Sequence, residues 1–353
     1  MFYLTKERQM LFDAANRYIF DEELSEETKQ DFYNDFGEYE QIMPSYFYEY
    51  IKKKQLFHDE ALLKEFEQWC NEAKEDFIEN SDQQYQLREA ISLKLDRSAQ
   101  EIMQRSFHDG EILIAQQSGN DFTLLLDMGG GFLPHAYVKL TFSDAKLEGE
   151  IEGYYIYDEL IELQDGFGLR ILSSFGYPYA EGTLTFRDIL FEGVYRPAVY
   201  KEPGDVADWT SFKSRLNTEF EYFVLEDGQF KSINIEDIIE TEEGYYVNCT
   251  FIASSYEEII GRILCNQYED PYAHLSEPLE NDEIYDAVFG QDQTLRVRAL
   301  NTLFAKGEEV APIVVDILSD ADLTEENEMY FFALANHFYQ QQLIDEALYL
   351  KWK

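Results

Sequence analysis

The sequence predicts an α+β fold with an N-terminal helical bundle, a central antiparallel β-sheet and a C-terminal unit of helical hairpins. The main observation is a change of pattern in the segment from Ser106 to Phe142. Apolar residues recur at helical spacing before this segment, whereas they form short alternating runs within it. A second observation is the return of helical spacing near residue 285. Separate blocks of helix and strand are typical of α+β proteins.

The N-terminal region, residues 1–105, is predicted to form a bundle of four or five helices. Capping residues and the helical spacing of apolar residues place their starts near Leu4, Ser25, Pro44, His58 and Gln83. The first helix is expected to extend to Phe20, with Thr5 as its N-cap. The last is expected to extend to Arg105 because its apolar residues share one face.

The central region, residues 106–270, is predicted to form a mainly antiparallel sheet. Ser118–Asp121 has the composition of a β-hairpin turn, and the run Gly129–Gly131 is expected to supply backbone freedom that only glycine has. The predicted strands begin at Glu111, Phe122 and Ala136 and continue with Gly149–Tyr157, Gly166–Ser174, Thr183–Tyr195, Phe223–Phe230 and Tyr245–Ile252. A helix is expected at Trp209–Glu221 and a helical turn at Asn234–Ile239. The many aromatic residues of the strands are interpreted as half-buried sheet packing.

The C-terminal unit, residues 285–353, is predicted to consist of two helical hairpins. Asp270–Asp286 contains two prolines and clustered acids, so it is the expected linker before this unit. The predicted helices are Leu295–Leu303, Val310–Leu318, Met329–Tyr339 and Leu343–Trp352. Pro312 falls in the first turn of the second, where its missing N–H does little harm. The pairing is HEAT-like, although two units do not establish a period.

The chain is strongly acidic along its whole length. Its 353 residues include 28 Lys and Arg against 71 Asp and Glu, which gives a formal net charge of -43. Each of the segments 1–106, 107–200, 201–277 and 278–353 carries between -10 and -12. Such a surface repels phosphate backbones and anionic lipids, so nucleic acid and membrane are not expected as partners, whereas a basic protein is steered toward it. The alternative that the charge serves only solubility stays open.

The cysteines and the start of the chain indicate a cytoplasmic protein. The three cysteines, Cys70, Cys249 and Cys265, lie far apart, and therefore neither a disulfide framework nor a CxxC metal pair is expected. The start MFYLTKERQM lacks an apolar core followed by a cleavage site, and no run approaches the roughly 18 apolar residues of a membrane span.

One segment has residues that suggest metal or acid–base chemistry. His108-Asp109 is similar to the dipeptide of metal-dependent phosphohydrolases, and Asp127 and His135 would join it only if the glycine run folds the hairpin back. The alternative is structural: Asp109 and Gly110 form a turn, and His108 lies at a helix end where a cation is favourable.

Other motifs do not indicate a site. The glycine run lacks the spacing of a phosphate-binding loop, so a bulge or tight turn is expected there. Ser319–Glu328 alternates oxygen donors as a calcium loop does. In a loop counted from Asp320, however, Glu325 replaces the glycine at the sixth position and the twelfth position is Phe331, so the segment is interpreted as a capped helix start. No G-x-S-x-G motif and no Cys/His pair at suitable spacing is present.

The segment H-D-G-E-I…L-L-L-D-M-G-G-G-F, from His108 to Phe132, resembles an uncharacterised bacterial domain-of-unknown-function family found mainly in Gram-positive sporeformers. The start Tyr3-x-Thr5-Lys6-Glu7 and the helical first third add to the resemblance, which covers about residues 1–200. Such a family has no assigned activity, and therefore the resemblance implies no catalytic, cofactor-binding or metal-binding residue.

The function that these observations favour is that of a non-catalytic acidic binding protein, of the immunity or regulatory kind, which engages a basic protein and needs no cofactor. The alternative is a metal-dependent hydrolase that uses His108, Asp109, Asp127 and His135. Composition favours the first along the whole chain, whereas the second requires four side chains to converge on one point.

Overall fold

The structure is a computed structural model, and it describes residues 3–17, 25–35, 39–40, 42–176, 179–201, 208–321, 324 and 327–352. These residues divide into two compact units. The first contains the described residues up to Tyr200 together with those from 208 to Tyr268, and the second contains Lys201 together with the described residues from Glu269 onward. Helices flank an antiparallel sheet in the first unit, which confirms the predicted α+β class.

The N-terminal part of the first unit is helical, as predicted. Its helices are α1 (Lys6–Arg17), α2 (Glu26–Asp35), α3 (Ser45–Lys52) and α4 (Glu60–Ser92). The Ser25 hydroxyl accepts the N–H of Thr28 at 3.1 Å, and the Asp59 carboxylate accepts two N–H groups of the first turn of α4. Side-chain caps of this kind satisfy donors that have no partner within the helix. The apolar faces of α1 to α4 meet around Phe32, Phe47 and Phe66.

The prediction of a separate helix from Gln83 to Arg105 is wrong. Helix α4 runs without a break for 33 residues, and it ends at Ser92. A four-residue helix, α5 (Arg97–Gln100), and a 3-10 turn at Ile102–Gln104 follow it. Gln83, the expected start of a new helix, is an interior position of α4, and the C-terminal half of α4 contacts β5 through Arg88. The carboxylate of Asp96 then caps α5.

An eight-stranded antiparallel sheet lies at the centre of the first unit. Its strands are β1 (Glu111–Ser118), β2 (Asp121–Asp127), β3 (Tyr137–Ser143), β4 (Lys146–Gly149), β5 (Tyr154–Leu163), β6 (Gly166–Ser174), β7 (Ala180–Phe186) and β8 (Asp188–Val194). Their order is β4-β7-β6-β5-β1-β2-β3-β8. The predicted hairpin is confirmed, since Ser118 pairs with Asp121 across its turn.

The sheet is more strongly curled than the simple meander expected from the strand pattern. The predicted strand Thr183–Tyr195 is in fact two strands, β7 and β8, separated only by Arg187. In the same way, only two residues separate β3 from β4. Strand β3 pairs with β8 at one end of the strand order, and β4 pairs with β7 at the other end. Because β3 leads directly into β4 and β7 into β8, the same two chain segments form both ends of the sheet and bend between them. The inner face of the curled sheet packs against Ala99, Met103 and Phe107 to form the largest core of the unit.

Two three-stranded sheets complete the first unit. Their strands are β9 (Tyr222–Glu226), β10 (Gln229–Ile233), β11 (Ile238–Thr241), β12 (Gly244–Val247), β13 (Thr250–Ala253) and β14 (Leu264–Cys265), accompanied by helices α6 (Trp209–Arg215) and α7 (Tyr256–Arg262). Each of the two strands predicted here, Phe223–Phe230 and Tyr245–Ile252, is a hairpin of two shorter strands in the structure. Their turns, Asp227-Gly228 and Asn248-Cys249, have positive φ at both residues, as tight hairpins with a right-handed twist require. The predicted turn at Asn234 is confirmed as a capped 3-10 turn.

The second unit is helical. Its helices are α8 (Asn281–Phe289), α9 (Gln293–Lys306), α10 (Ala311–Asp320), α11 (Glu328–Gln340) and α12 (Glu346–Lys351). The expected linker Asp270–Asp286 thus contains the start of α8, which the sequence did not indicate. The unit has its own core, and Lys351 donates hydrogen bonds to three carbonyl groups at the end of α10. The segment that is similar to a calcium loop includes residues outside those that the structure describes. In the described ranges, no helix has both the length and the apolar character needed to cross a membrane.

Candidate functional site

The His108-Asp109-Gly110 segment forms a tight turn that is hydrogen-bonded to β5. Asp109 has a φ of 65°, and its N–H donates to the carbonyl of Tyr155 at 2.9 Å. The carbonyl of Gly110 in turn accepts the N–H of Tyr155 at 2.8 Å. The pattern H-D-G therefore has a structural reason, since Asp is one of the few residues that tolerate this backbone conformation. The hydrogen-bonded turn also holds the Asp109 side chain, about half of which is exposed, beside β5.

The glycine run covers this turn from the other side. A Cβ added at Gly131 would lie 2.6 Å from Cε of Met128 and 3.0 Å from the carbonyl oxygen of His108. None of the three glycines has φ in the left-handed region, so the expectation of special backbone freedom is wrong, and close approach is the reason for glycine at residue 131. The carboxylate of Asp127 accepts the N–H of Gly129 at 2.8 Å, which closes the turn that begins the run.

An acidic and aromatic hollow lies on one side of the turn. We call it the acidic hollow; its walls include Asp13, Tyr39, Asp109, Tyr154, Phe175 and Tyr179, and its volume is about 560 Å³. Helix α1 provides Asp13 and strand β5 provides Tyr154. Phe175 follows β6, Tyr179 precedes β7, and Tyr39 lies between α2 and α3. Phe175 is 77% exposed and Tyr154 is 46% exposed, so open ring faces form the rim. None of the described residues that line the hollow is a lysine or an arginine.

The carboxylates make the acidic hollow electronegative. Asp13 accepts a hydrogen bond from the Tyr179 hydroxyl at 2.5 Å and a second from Gln9 at 2.8 Å, so its position is well defined. Burial raises the pKa of Tyr179, and the hydrogen bond to Asp13 raises it further. Tyr157 lies nearby, and its pKa is raised by burial first and then by the negative charges of Asp13 and Asp109. The two carboxylates therefore act on the same region, although 96 positions of sequence separate them.

An aromatic hollow lies on the other side of the glycine run. We call it the aromatic hollow; its rings are Phe132, His135, Phe191, Tyr195 and Tyr268, and its volume is about 510 Å³. His135 is stacked on Tyr195 with ring centroids 4.4 Å apart, and the edge of Phe191 meets it at 5.6 Å. Gly193 permits this packing, because a Cβ there would lie 2.5 Å from Phe191 and 2.6 Å from His135.

His135 is neutral in this environment. Burial lowers its pKa to about 4, and the carboxylate of Glu101 opposes the shift only in part. Its Nδ1 is buried and has no hydrogen-bond partner within the described part of the chain. A neutral imidazole has one donor and one acceptor nitrogen, so the hydrogen-bonding capacity of this nitrogen is not used by the described residues.

The four residues predicted as a possible metal site are not gathered at one point. Asp109 lines the acidic hollow, whereas His135 lines the aromatic hollow. Asp127 is engaged with the turn at Gly129. Only His108 and Asp109 are close, with Nδ1 and Oδ1 3.1 Å apart, but the geometry is not that of a hydrogen bond. No group of three or more His, Cys, Asp or Glu side chains arranged to hold a metal ion occurs in the described ranges. Within the described residues, none of the three cysteines forms a disulfide bond.

Sequence reasoning missed the residues that complete the acidic hollow. Tyr154, Phe175 and Tyr179 were interpreted as sheet packing, and Asp13 as an ordinary position of a helix. No local signal connects them, because their proximity results from the packing of α1 against the sheet. The aromatic content of the strands was the available indication, but it did not separate exposed rings from buried ones.

Comparison with known proteins identifies a family for part of the chain. Residues 18–186 match the model of a family described as "Protein of unknown function (DUF4085)". The predicted membership of a domain-of-unknown-function family is thereby confirmed. The matched range includes Asp109, His135 and Phe175 but not Asp13 or Tyr195. Searches of the curated proteins and of the solved structures found no match.

Proposed function

We propose that this protein is a non-catalytic binding protein that engages a basic protein partner through the acidic hollow. The observation that carries the proposal is the combination of two carboxylates, Asp13 and Asp109, with the exposed rings of Tyr154 and Phe175 in one concave surface. A lysine or arginine side chain is the ligand that fits this combination. Its alkyl stem packs on the rings, and its cationic group meets the ring faces and the carboxylates.

The energies of these contacts suit a specific but reversible complex. A cation over an aromatic ring contributes about 0.5–1 kcal/mol at an exposed site and about 2 kcal/mol when it is desolvated. A hydrogen bond from a cation to a carboxylate is about twice as strong as one between neutral groups. Because none of the described lining residues is basic, no internal cation competes for the hollow.

The charge of the whole chain supports the same proposal. A net charge of -43 attracts a basic protein over a long range and orients it before contact. Long-range attraction of this kind raises the association rate and makes it dependent on salt, whereas the hollow provides the contacts that hold the partner. An immunity protein and a regulatory protein are the two roles that such binding serves, and the identity of the basic partner distinguishes them.

The test uses a short basic peptide and paired charge variants. Acetylated tri-lysine and tri-arginine peptides are titrated into the full-length protein by isothermal calorimetry, at low salt and at about 0.15 M ionic strength. The variant Asp109→Asn, alone and together with Phe175→Ala, is expected to weaken binding about tenfold, which corresponds to about 1.4 kcal/mol. The control is Asp121→Asn, which removes the same charge at the opposite end of the β1–β2 hairpin, roughly 20 Å away by strand geometry.

The two variants separate specific binding from general attraction. If Asp121→Asn weakens binding as much as Asp109→Asn, the peptide binds the overall negative charge and the acidic hollow is not the site. If neither peptide binds at about 0.15 M ionic strength, the hollow does not hold a basic side chain. A basic protein recovered from the source cell supports the proposal only if Asp109→Asn releases it.

A further inference from the structure

The aromatic hollow has the size and the walls of a small-molecule site. Its volume of about 510 Å³ lies within the roughly 300–1,000 Å³ that such sites occupy. Phe132 is 77% exposed and Tyr268 is 48% exposed, so two rings present open faces at its rim. Inside, His135 and Tyr195 form a stacked wall. A flat ring would therefore find stacking partners both at the rim and in the interior.

The charges of the aromatic hollow do not select a charged ligand. Its two charged lining residues, Glu101 and Arg105, lie 3.6 Å apart at the rim, and both side chains are mostly exposed. They neutralise each other, and therefore the interior has no net charge to offer. The net charge of -43 on the whole chain opposes an anionic ligand such as a nucleotide.

Two polar groups of the aromatic hollow have hydrogen-bonding capacity left over. Nδ1 of His135 is buried without a partner in the part of the chain that the structure describes. The Ser106 hydroxyl accepts the N–H of His108 at 3.2 Å, and its own proton has no acceptor among the described residues. The Ser98 hydroxyl, by contrast, is engaged on both sides, with Asp96 and with the N–H of Phe191. A ligand with ring nitrogens or amino groups would satisfy the first two.

We propose that the aromatic hollow binds an uncharged heteroaromatic ring of purine size, as a free base or a nucleoside, by stacking on Phe132, Tyr195 and Tyr268 and by hydrogen bonding to His135 and Ser106. This site is separate from the acidic hollow and does not depend on the proposed binding of a basic protein. Stacking on aromatic side chains tolerates every base, because each base has a π-face.

The experiment titrates the full-length protein with adenosine, guanosine, adenosine monophosphate and N-acetyltryptophanamide, followed by isothermal calorimetry and by ligand-observed NMR. The nucleosides are expected to bind saturably and more tightly than the monophosphate. Phe132→Ala is expected to weaken nucleoside binding at least about fivefold, since stacking contributes about 1–3 kcal/mol per base. Phe251→Ala is the control, because it removes another exposed ring, at 50% exposure, outside both hollows. It is expected to change the affinity less than about twofold.

A second variant tests the interior of the hollow. Gly193→Ala would push a methyl group against the rings of Phe191 and His135, and it is expected to abolish nucleoside binding. If this variant does not fold, Phe132→Ala still decides, because the exposed Phe132 ring is not part of the core. The proposal is overturned if neither nucleoside binds saturably, if Phe132→Ala binds as the wild type does, or if N-acetyltryptophanamide binds more tightly than both nucleosides. The last result would identify an indole side chain of a protein as the ligand.

Discussion

Arg88 and Asp158 form an ion pair that joins α4 to β5 in the interior of the first unit. Their side chains are 12% and 4% exposed, and Arg88 also donates to the carbonyl groups of Met103 and Arg105. Removal of one partner leaves a buried charge without compensation, so Arg88→Met is expected to lower the free energy of unfolding by about 3–5 kcal/mol. Urea denaturation measures the change.

A second ion pair between the end of α4 and β5 provides the control for this prediction. Lys94 and Glu162 are each about half exposed, and such pairs contribute at most about 1 kcal/mol. Lys94→Met is therefore expected to have a small effect. Equal losses of stability in Arg88→Met and Lys94→Met would show that burial of the first pair does not matter.

The half-buried imidazole of His135 makes stability depend on pH. Its pKa is lowered to about 4 in the folded protein, against an ordinary value of 6.5, so between these pH values the unfolded chain binds a proton that the folded chain does not. Protonation then favours unfolding. The contribution of the neutral ring is complete above about pH 6.5 and is lost as the pH falls toward 4. The decline of the melting temperature over this range is expected to be shallower in His135→Gln. Parallel curves for the two proteins would contradict the assignment.

At the scale of the element, the glycine run is held by the close approach of two turns. Gly131 faces the carbonyl of His108 and the end of Met128, whereas a Cβ at Gly130 would meet only the carbonyl of Asp109, at an ordinary 3.5 Å. Gly131→Ala is expected to lower the free energy of unfolding by about 1–2 kcal/mol through overpacking. Gly130→Ala is expected to stay within about 0.5 kcal/mol of the wild type. Chemical denaturation of both variants checks the difference, and a larger effect at Gly130 would show that the two turns do not meet in this way.

At the scale of the whole molecule, the two units have separate cores and the chain between them is open to cleavage. The residues from Asn266 to Tyr272 contain no helix or strand, whereas those from Ala273 onward are tied to α9 through the bond from Asn301 to Leu275. No lysine or arginine lies between Arg262 and Arg296, so trypsin does not report on this segment. Chymotrypsin is expected to cleave after Tyr268 or Tyr272 and to release a stable helical C-terminal fragment. Mass spectrometry and circular dichroism of the products test this, and progressive digestion with no such fragment would argue against an independent second unit.

The sequence alone determined the features that depend on neighbouring residues. The caps at Ser25 and Asp59, the hairpin turn at Ser118–Asp121 and the even acidity follow from side chains and periodicities within a few positions. The motif of histidine, aspartate and glycine also drew attention to Asp109, but the sequence predicted it and His135 only as parts of one possible metal site. The turn at Asp227-Gly228 is equally local, but the predicted strand Phe223–Phe230 ran through it, so the hairpin of β9 and β10 was missed.

Contacts between segments that are far apart in the sequence depend on the packing of the whole fold. Helix α4 continues through Gln83, the expected start of a new helix, and the ion pair between Arg88 and Asp158 joins its second half to β5 across 70 positions of sequence. The strand order depends on which pairs close the curled sheet, and this is a property of all eight strands at once. For the same reason Asp109 and His135 lie in two hollows instead of one site. Asp109 is held in place by the hydrogen bonds of its turn to β5, whereas His135 stacks on Tyr195, just beyond the end of β8. Both positions depend on contacts between distant segments, which no local pattern encodes.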